Sequence, residues 1–293
     1  MTELFQRAFR LTIGTIDIDG RSGLLFPLDL SFDVSKSTKR EPNTCAIKVY
    51  NLSPAQRHEI ESTRSLQINL SAGYKNFVEL IFSGDLRLAK NTTRRAGKGK
   101  GKGKLGFVRD PLEVITEIEA GDGGTAYRDA RVSRSYPSGT EVTTVLRGII
   151  DVMGIGAGNL TEFGSLPISG IGTAYQTGTV VYGKARDELN RIIRSAGLSW
   201  SIQNGNLQIL RGNTPVQNTA VLLTGDTGLI GSPEREIDGT ITANTLLIPE
   251  LMPGRKVVIE SKAVDAQCII KRVTFIGETF GNEWNAKLEL KEY

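Results

Sequence analysis

Residues 183–210, GKARDELNRIIRSAGLSWSIQNGNLQIL, leave the chain little choice of local structure. Ala185, Leu189, Ile192, Ile193 and Ala196 recur at helical spacing, with Lys184, Arg186, Asp187, Glu188, Arg191 and Arg194 on the opposite side. Gly197 stands where a helix stops in a left-handed residue. Leu198, Trp200 and Ile202 then alternate with Ser199, Ser201 and Gln203. Asn204-Gly205 is the preferred pair of a tight type I′ turn, and Leu207 and Ile209 resume the alternation. The stretch predicts one amphipathic helix feeding one hairpin. No residue in it is an obvious catalyst, so it reads as scaffold.

Two kinds of text flank this unit. Up to about residue 90 the pattern is β. Phe9, Leu11 and Ile13 alternate, as do Ile16 and Ile18, then Leu28, Leu30 and Phe32, then Cys45, Ile47 and Val49. Ser53 followed by Pro54 predicts a short capped helix ending near Ser62. Leu66, Ile68 and Leu70 form the next strand, and Leu80-Ile81-Phe82 leads to Ser83-Gly84-Asp85. In the middle, Ser138 and Glu141 have capping-box spacing before a helix whose apolar face is Val142, Val145, Leu146, Ile149, Ile150 and Met153. From about Val221 the text is β again, with strands predicted in ITANTLLI (241–248), VVI (257–259), CIIKRVTFI (268–276) and WNAKLEL (284–290).

A weak repeat joins the flanks. Cys45–Val49, Leu66–Leu70, and Leu80–Phe82 with Asp85-Leu86 pair in order with Thr245–Ile248, Val257–Ile259 and Ile269–Phe275. The expected class is α+β, mostly β. Two barrel-like domains, 1–120 and 221–293, flank a middle region, 121–220, with two helices and a hairpin. High glycine, 33 of 293 residues, and only 6% aromatics agree with many turns and short strands.

The sequence offers little to catalysis. His58 is the only histidine, which excludes a two-histidine zinc motif, and no GxSxG surrounds any serine. His58 on a short helix reads as a surface residue, and a Cys45–His58 pair has nothing else pointing to it. Cys45 and Cys268 are too few for a disulfide framework or a four-thiolate site and read as buried free thiols. Gly154-Ile-Gly-Ala-Gly158 follows a helix instead of preceding one, so it reads as a helix stop and not a phosphate loop. Glu117/Glu119 and Glu234/Glu236 share a face within a strand, which more often means solvent than a cleft. No catalytic, cofactor or metal site is therefore assigned.

The net charge of +4 owes much to RRAGKGKGKGKLG at 94–106. Glycine alternating with lysine buries almost nothing, so a flexible loop between two strands is expected, with Lys98, Lys100, Lys102 and Lys104 as a candidate interaction segment. The N-terminal MTELFQRAFRLTI lacks the apolar core of a signal peptide, and no apolar run approaches the ~20 residues of a membrane helix. Neither export nor membrane insertion is expected.

The order of parts resembles the tail or baseplate hub proteins of tailed bacteriophages, of the Mu-like and T-even type. It lies in NTCAIKVYNLSPAQR, LIFSGDL, ARVSRSYPSGTEVTTVLRGIIDVMGI, the helix–hairpin unit, LMPGRKVVIES and EWNAKLEL, taken as a series. That resemblance implies two tail-tube-like barrels per chain and a homotrimer presenting six barrels as a ring. It implies contacts with the tail tube protein, a central spike or tip protein, other baseplate proteins and the tape measure protein, with DNA only as passing cargo. It further implies a virion protein assembled in the bacterial cytoplasm, without enzymatic activity or cofactor. The competing classes are a tail-associated cell-wall hydrolase and a nucleic-acid-binding protein acting through the Gly-Lys segment.

Overall fold

The computed structural model describes residues 6–20, 28–63, 66–95, 112–163, 166–167, 172–217 and 219–293. Period-two burial builds the first four strands: β1 (Arg7–Ile13), β2 (Ile16–Asp19), β3 (Leu30–Ser37) and β4 (Thr44–Tyr50). In α1 (Pro54–Ser62), Ser53 accepts from the Gln56 amide and the Gln56 side chain accepts from the Ser53 amide. Next come β5 (Gln67–Tyr74), β6 (Phe77–Arg95) and β7 (Leu112–Gly121). β6 runs straight through Ser83-Gly84-Asp85, because β5 pairs with it as far as Asp85 and β7 takes over from there. The Gly-Lys segment, with Lys98, Lys100, Lys102 and Lys104, lies outside the described residues.

The middle region holds α2 (Gly124–Asp129), β8 (Arg131–Tyr136), α3 (Val142–Met153), a 3-10 turn at Gly158–Phe163, β9 (Thr179–Lys184), α4 (Ala185–Ser195), β10 (Ser199–Gln203) and β11 (Asn206–Leu210). The helix–hairpin unit forms as its sequence dictates. Asn204 and Gly205 take φ of 51° and 75°, the left-handed pair that a type I′ turn requires. The capping box expected at α3 does not form. Ser138 Oγ donates to the Gln176 carbonyl, and Glu141 is an N-cap whose side chain caps no backbone amide. A bridge between Glu141 and Ala174 holds this entry, and the Val142 amide donates to the Thr173 carbonyl.

The chain ends with β12 (Ala220–Leu223), β13 (Leu229–Arg235), β14 (Thr240–Leu246), β15 (Lys256–Glu260), β16 (Asp265–Glu278) and β17 (Trp284–Glu292). The protein is α+β and mostly β. Among the described residues, thirteen strands belong to one sheet.

The path through that sheet contains the same arrangement twice. β3-β4-β7-β6-β5 in the first half is matched by β13-β14-β17-β16-β15 in the second, antiparallel throughout. A sixth strand flanks each set: β1 antiparallel to β5, and β12 parallel to β15. The match extends to single rows. Asp33, Ala46, Glu119 and Leu88 lie side by side across the first set, and Glu234, Thr242, Glu289 and Arg272 across the second. In the neighbouring rows, Leu86 and Ile270 each precede a one-residue bulge, at Arg87 and Lys271. The sequence repeat suggested the strand pairs β4–β14, β5–β15 and β6–β16, but out of step in the first: Cys45 answers to Ile241, not to Thr245.

The two halves meet edge to edge. β16 pairs with β15 over its first part and with β3 over its second, Arg272 opposite Ser37 through Glu278 opposite Ser31. One cluster of buried side chains runs through both flanks, from Phe9 to Ala120 and from Leu223 to Leu290. The sequence reading treated the flanks as separate units; in the fold they share this ladder and this core. Trp284 adds a stitch, its Nε1 donating to the Gly73 carbonyl at 3.0 Å. A second cluster, from Val132 to Ile209, belongs to the middle region alone.

Candidate functional site

Among the described residues, the histidine, cysteines and carboxylate pairs that the sequence singled out are not gathered into one site. His58 is exposed on α1. Cys45 and Cys268 are buried free thiols in β4 and β16. Burial holds the Cys45 thiol far above its ordinary pKa and pushes Cys268 up to about 11, so neither forms a thiolate readily. Glu117 lies 3.6 Å from the Lys48 ammonium on the outer face of the sheet. Glu234 and Glu236 are exposed at the end of β13. Among the described residues no three His, Cys, Asp or Glu side chains cluster as metal ligands. Among them, too, no helix is long and apolar enough to cross a membrane.

The glycine-rich segment after α3 has a packing task. The Gly156 amide donates to the Gly205 carbonyl, and the Leu207 amide donates back to the Gly156 carbonyl. A Cβ on Gly158 would lie 1.7 Å from the Leu207 carbonyl oxygen. These glycines let one backbone lie directly on the β10–β11 hairpin.

The tip of that hairpin enters a buried polar node that sequence reasoning missed. Asp122, directly after β7, is fully buried. It accepts from the Asn204 amide at 2.6 Å, the Gly205 amide at 2.8 Å and Asn43 Nδ2 at 3.1 Å. Lys36, 1% exposed, donates from Nζ to Asn204 Oδ1 at 2.6 Å and to the Ile81 carbonyl at 3.1 Å. Asn43 also donates to the Ile202 carbonyl at 2.8 Å, and Gln203 Nε2 donates to the Ser37 carbonyl at 2.8 Å. Burial lowers the Lys36 pKa to about 8, with Asp122 acting in the opposite sense. Burial likewise raises the Asp122 pKa, against Lys36 and the donated hydrogen bonds. The signal was present in the alternation. Leu30, Phe32, Val34 and Lys36 share the inward face of β3, so a lysine stands where an apolar residue would continue the core. The node has no open cleft and no reactive geometry. Its effect is to fix the middle region on the sheet.

What remains for function is surface and edge. β13 is the outer strand at one end of the sheet, and among the described residues no strand pairs with the free side of β6 beyond the bulge at Arg87. Large apolar side chains stand exposed at both edges: Leu88 on β6, 53% exposed, and Ile237 in the β13–β14 turn, fully exposed. On the middle region Val180 and Tyr182 project from the same face of β9, 64% and 74% exposed. Unpaired strand edges and exposed apolar side chains are surfaces that can pair with another chain.

No protein-family model matches the sequence, and no curated protein sequence does. Solved structures do match. The 43 kDa tail protein of prophage MuSo2 from Shewanella oneidensis is similar over 98% of this chain and 97% of its own, with TM-score 0.62 and 10% identity. A tail protein from Neisseria meningitidis MC58 is similar over 98% and 97%, with TM-score 0.60 and 10% identity. The E. coli c3393 protein is described as a type VI secretion component with structural similarity to the T4 bacteriophage tail proteins gp27 and gp5. It matches over 97% of this chain and 76% of its own, with TM-score 0.55 and 13% identity. At such identities it is the fold that is shared, and from end to end this chain has the fold of phage tail proteins.

Proposed function

We propose that the chain is a structural hub of a phage-type tail or baseplate. Three copies close into a pseudo-sixfold ring that joins the tail tube to a central spike or tip and lines the channel for DNA. The observation that carries this reading is the doubled strand order. One five-strand arrangement occurs twice in a chain, edge to edge, so three chains supply six. A threefold assembly then presents six similar units to a sixfold tube. The flanks, 1–120 and 221–293, form the ring. The middle region, 121–220, stands outside it and offers Val180 and Tyr182 to neighbouring baseplate proteins. The tail tube protein, the spike or tip protein and the tape measure protein are the partners above and below. Lys98, Lys100, Lys102 and Lys104 remain a candidate contact segment. The role is assembly and passage, without bond chemistry, in a virion tail built in the bacterial cytoplasm.

Native mass spectrometry of the full chain over a concentration series, with and without a tube or spike partner, tests this. A closed trimer is the expected species. A stable dimer as the largest species, or a monomer at every concentration and with every partner, overturns the ring.

A further inference from the structure

The chain already contains one example of the junction that a ring would have to repeat, and the repeat tells which strands make the next one. Within the chain the second part of β16 pairs with β3. In the doubled order β16 corresponds to β6 and β3 to β13. Among the described residues, both counterparts have a side without a strand. β6 is paired with β5 only up to Asp85, and β13 has β14 on one side alone. We propose that β13 of one copy adds antiparallel to the second part of β6, Leu88–Thr92, of a second copy of this chain, reproducing between copies the β3–β16 junction made within each. This rests on the ring reading above and supplies its interface.

The register follows from the matched rows. Asp33 and Glu234 occupy equivalent places, as do Leu88 and Arg272, since each row passes through Glu119 or Glu289. Counting on from there, Lys90, Asn91 and Thr92 stand for Thr274, Phe275 and Ile276. Glu236, Arg235 and Glu234 stand for Ser35, Val34 and Asp33. The internal pairs Thr274–Ser35, Phe275–Val34 and Ile276–Asp33 become Lys90–Glu236, Asn91–Arg235 and Thr92–Glu234 between copies.

The side chains at the two edges suit each other. Lys90 puts a basic side chain on the second part of β6, while Glu234, Glu236 and Asp238 make the end of β13 and its turn acidic. The register sets Lys90 directly opposite Glu236, an opposite-charge cross-strand pair. It sets Ile237, fully exposed in the single chain, opposite Ala89 on the core-facing side, where Lys36 meets Val273 within the chain. Pro233 has no N–H to give, so it ends the new ladder on that side. The contact is head to tail, with different surfaces on the two copies, the type that closes into a ring when the rotation between copies permits. It also gives a purpose to the exposed Glu234/Glu236 pair, which as chemistry had none.

Disulfide trapping reads the register. In the internal junction the Thr38 amide donates to the Lys271 carbonyl and the Thr279 amide to the Leu30 carbonyl. Counting between these makes Ile276–Asp33 a pair without mutual hydrogen bonds, the type with Cα atoms about 4.5 Å apart. Its counterpart is Thr92–Glu234, a separation that a disulfide spans. The full chain carrying both Thr92→Cys and Glu234→Cys, treated with diamide, is run on a denaturing gel without reductant; the native Cys45 and Cys268 are buried. The expected result is covalent dimer and trimer, at least tenfold faster than from Asn91→Cys with Glu234→Cys, where a one-residue offset turns the thiols to opposite faces. Either single variant should give none. Native mass spectra and circular dichroism of each variant establish that it folds and assembles. Trimers that form without the crosslink overturn this pairing and leave the ring standing. Equal trapping in both registers, or trapping by a single variant, also overturns the pairing. A chain that is monomeric throughout and never crosslinks overturns the ring reading and the pairing with it.

Discussion

Asp122→Ala should detach the middle region from the sheet before either unfolds. The side chain accepts two backbone amides from the turn at Asn204 and Gly205, and a third bond from Asn43 Nδ2, with no exposure to solvent. Alanine leaves those donors unmatched, and Lys36 loses the carboxylate that favours its charge. Hydrogen bonds to a charged group contribute about 1.5–3 kcal/mol each. The gross figure is larger than the net one, because desolvation already opposes the Asp122 charge and raises its pKa. Breaking a buried charged arrangement by removing one member costs about 3–5 kcal/mol, and that is the expected loss. Asp122→Asn should lose less. Its one oxygen can still take one turn amide, but the other, which now meets Oδ1 or Oδ2 of the carboxylate, then faces an NH2 group. Urea unfolding gives the total. Hydrogen exchange gives its place: amides in 36–43 and 199–210 should exchange faster in Asp122→Ala, while α3, α4 and the β16–β17 ladder stay protected. A loss below about 1 kcal/mol would show that the node is not what holds the hairpin. So would exchange rising uniformly along the chain.

Lys36 supplies a pH dependence. Its pKa is about 8 in the fold against an ordinary 10.5, so between those values the unfolded chain binds more protons. Stability should therefore rise from pH 8 towards 10.5, and the part gained there is lost as pH falls back through 8. Urea midpoints taken across that window should climb in the native chain and flatten in Lys36→Met; equal slopes would refute the assignment. Ile192→Ala removes a side chain that is 1% exposed in the core shared by α3, α4 and the hairpin. It should cost about 2–5 kcal/mol. Because α4 packs on α3 as well as on β10, faster exchange should cover 132–163 and 179–210, not the helix–hairpin unit alone. Confinement to 183–210 would mean that α3 and α4 are not one core.

Local grammar was legible where all its words lie close together. Ser53, Pro54 and Gln56 specify α1 within four residues, and Asn204-Gly205 specifies its turn within two. Legibility failed where the partner is distant. Ser138 and Glu141 have the spacing of a capping box, yet the α3 entry is held by Thr173 and Ala174, some thirty residues on. β8 and β9 pair across more than forty residues and carry little alternation of their own. Ser83-Gly84-Asp85 looks like a turn and is strand, since ladders on both sides outweigh the low strand propensity of glycine and aspartate. The repeat was half legible: three strands of each half could be matched by pattern, but the shared order could be seen only once pairing was known. The node was illegible as a site because its members are sequentially remote. Lys36, Asn43, Asp122 and Asn204 become neighbours only when β3, β7 and the hairpin are in place.

The position of the node in the chain explains why it is polar. The middle region leaves the sheet after Gly121 and returns at Ala220, so it is an insertion between the two matched halves. It has its own core and could hang from that root in many orientations. An apolar contact would hold it, but apolar contact is non-directional and tolerates sliding. Asp122 stands at the root itself and grips the far tip, the Asn204–Gly205 turn, so the insertion is closed back on its point of departure. The donors there meet acceptors at fixed places, and a shifted docking would leave a buried charge unmatched. Further bonds fix the rotation about that grip: Gln208 Nε2 donates to the Pro253 carbonyl, and the Val216 amide to the Gly254 carbonyl. These tie the insertion to the second half as Asp122, Asn43 and Lys36 tie it to the first. In the proposed ring the same outer face would recur three times, and orientation would then matter more than stability. The node gives up some stability, in a buried lysine held near pKa 8, for an insertion with one way to sit.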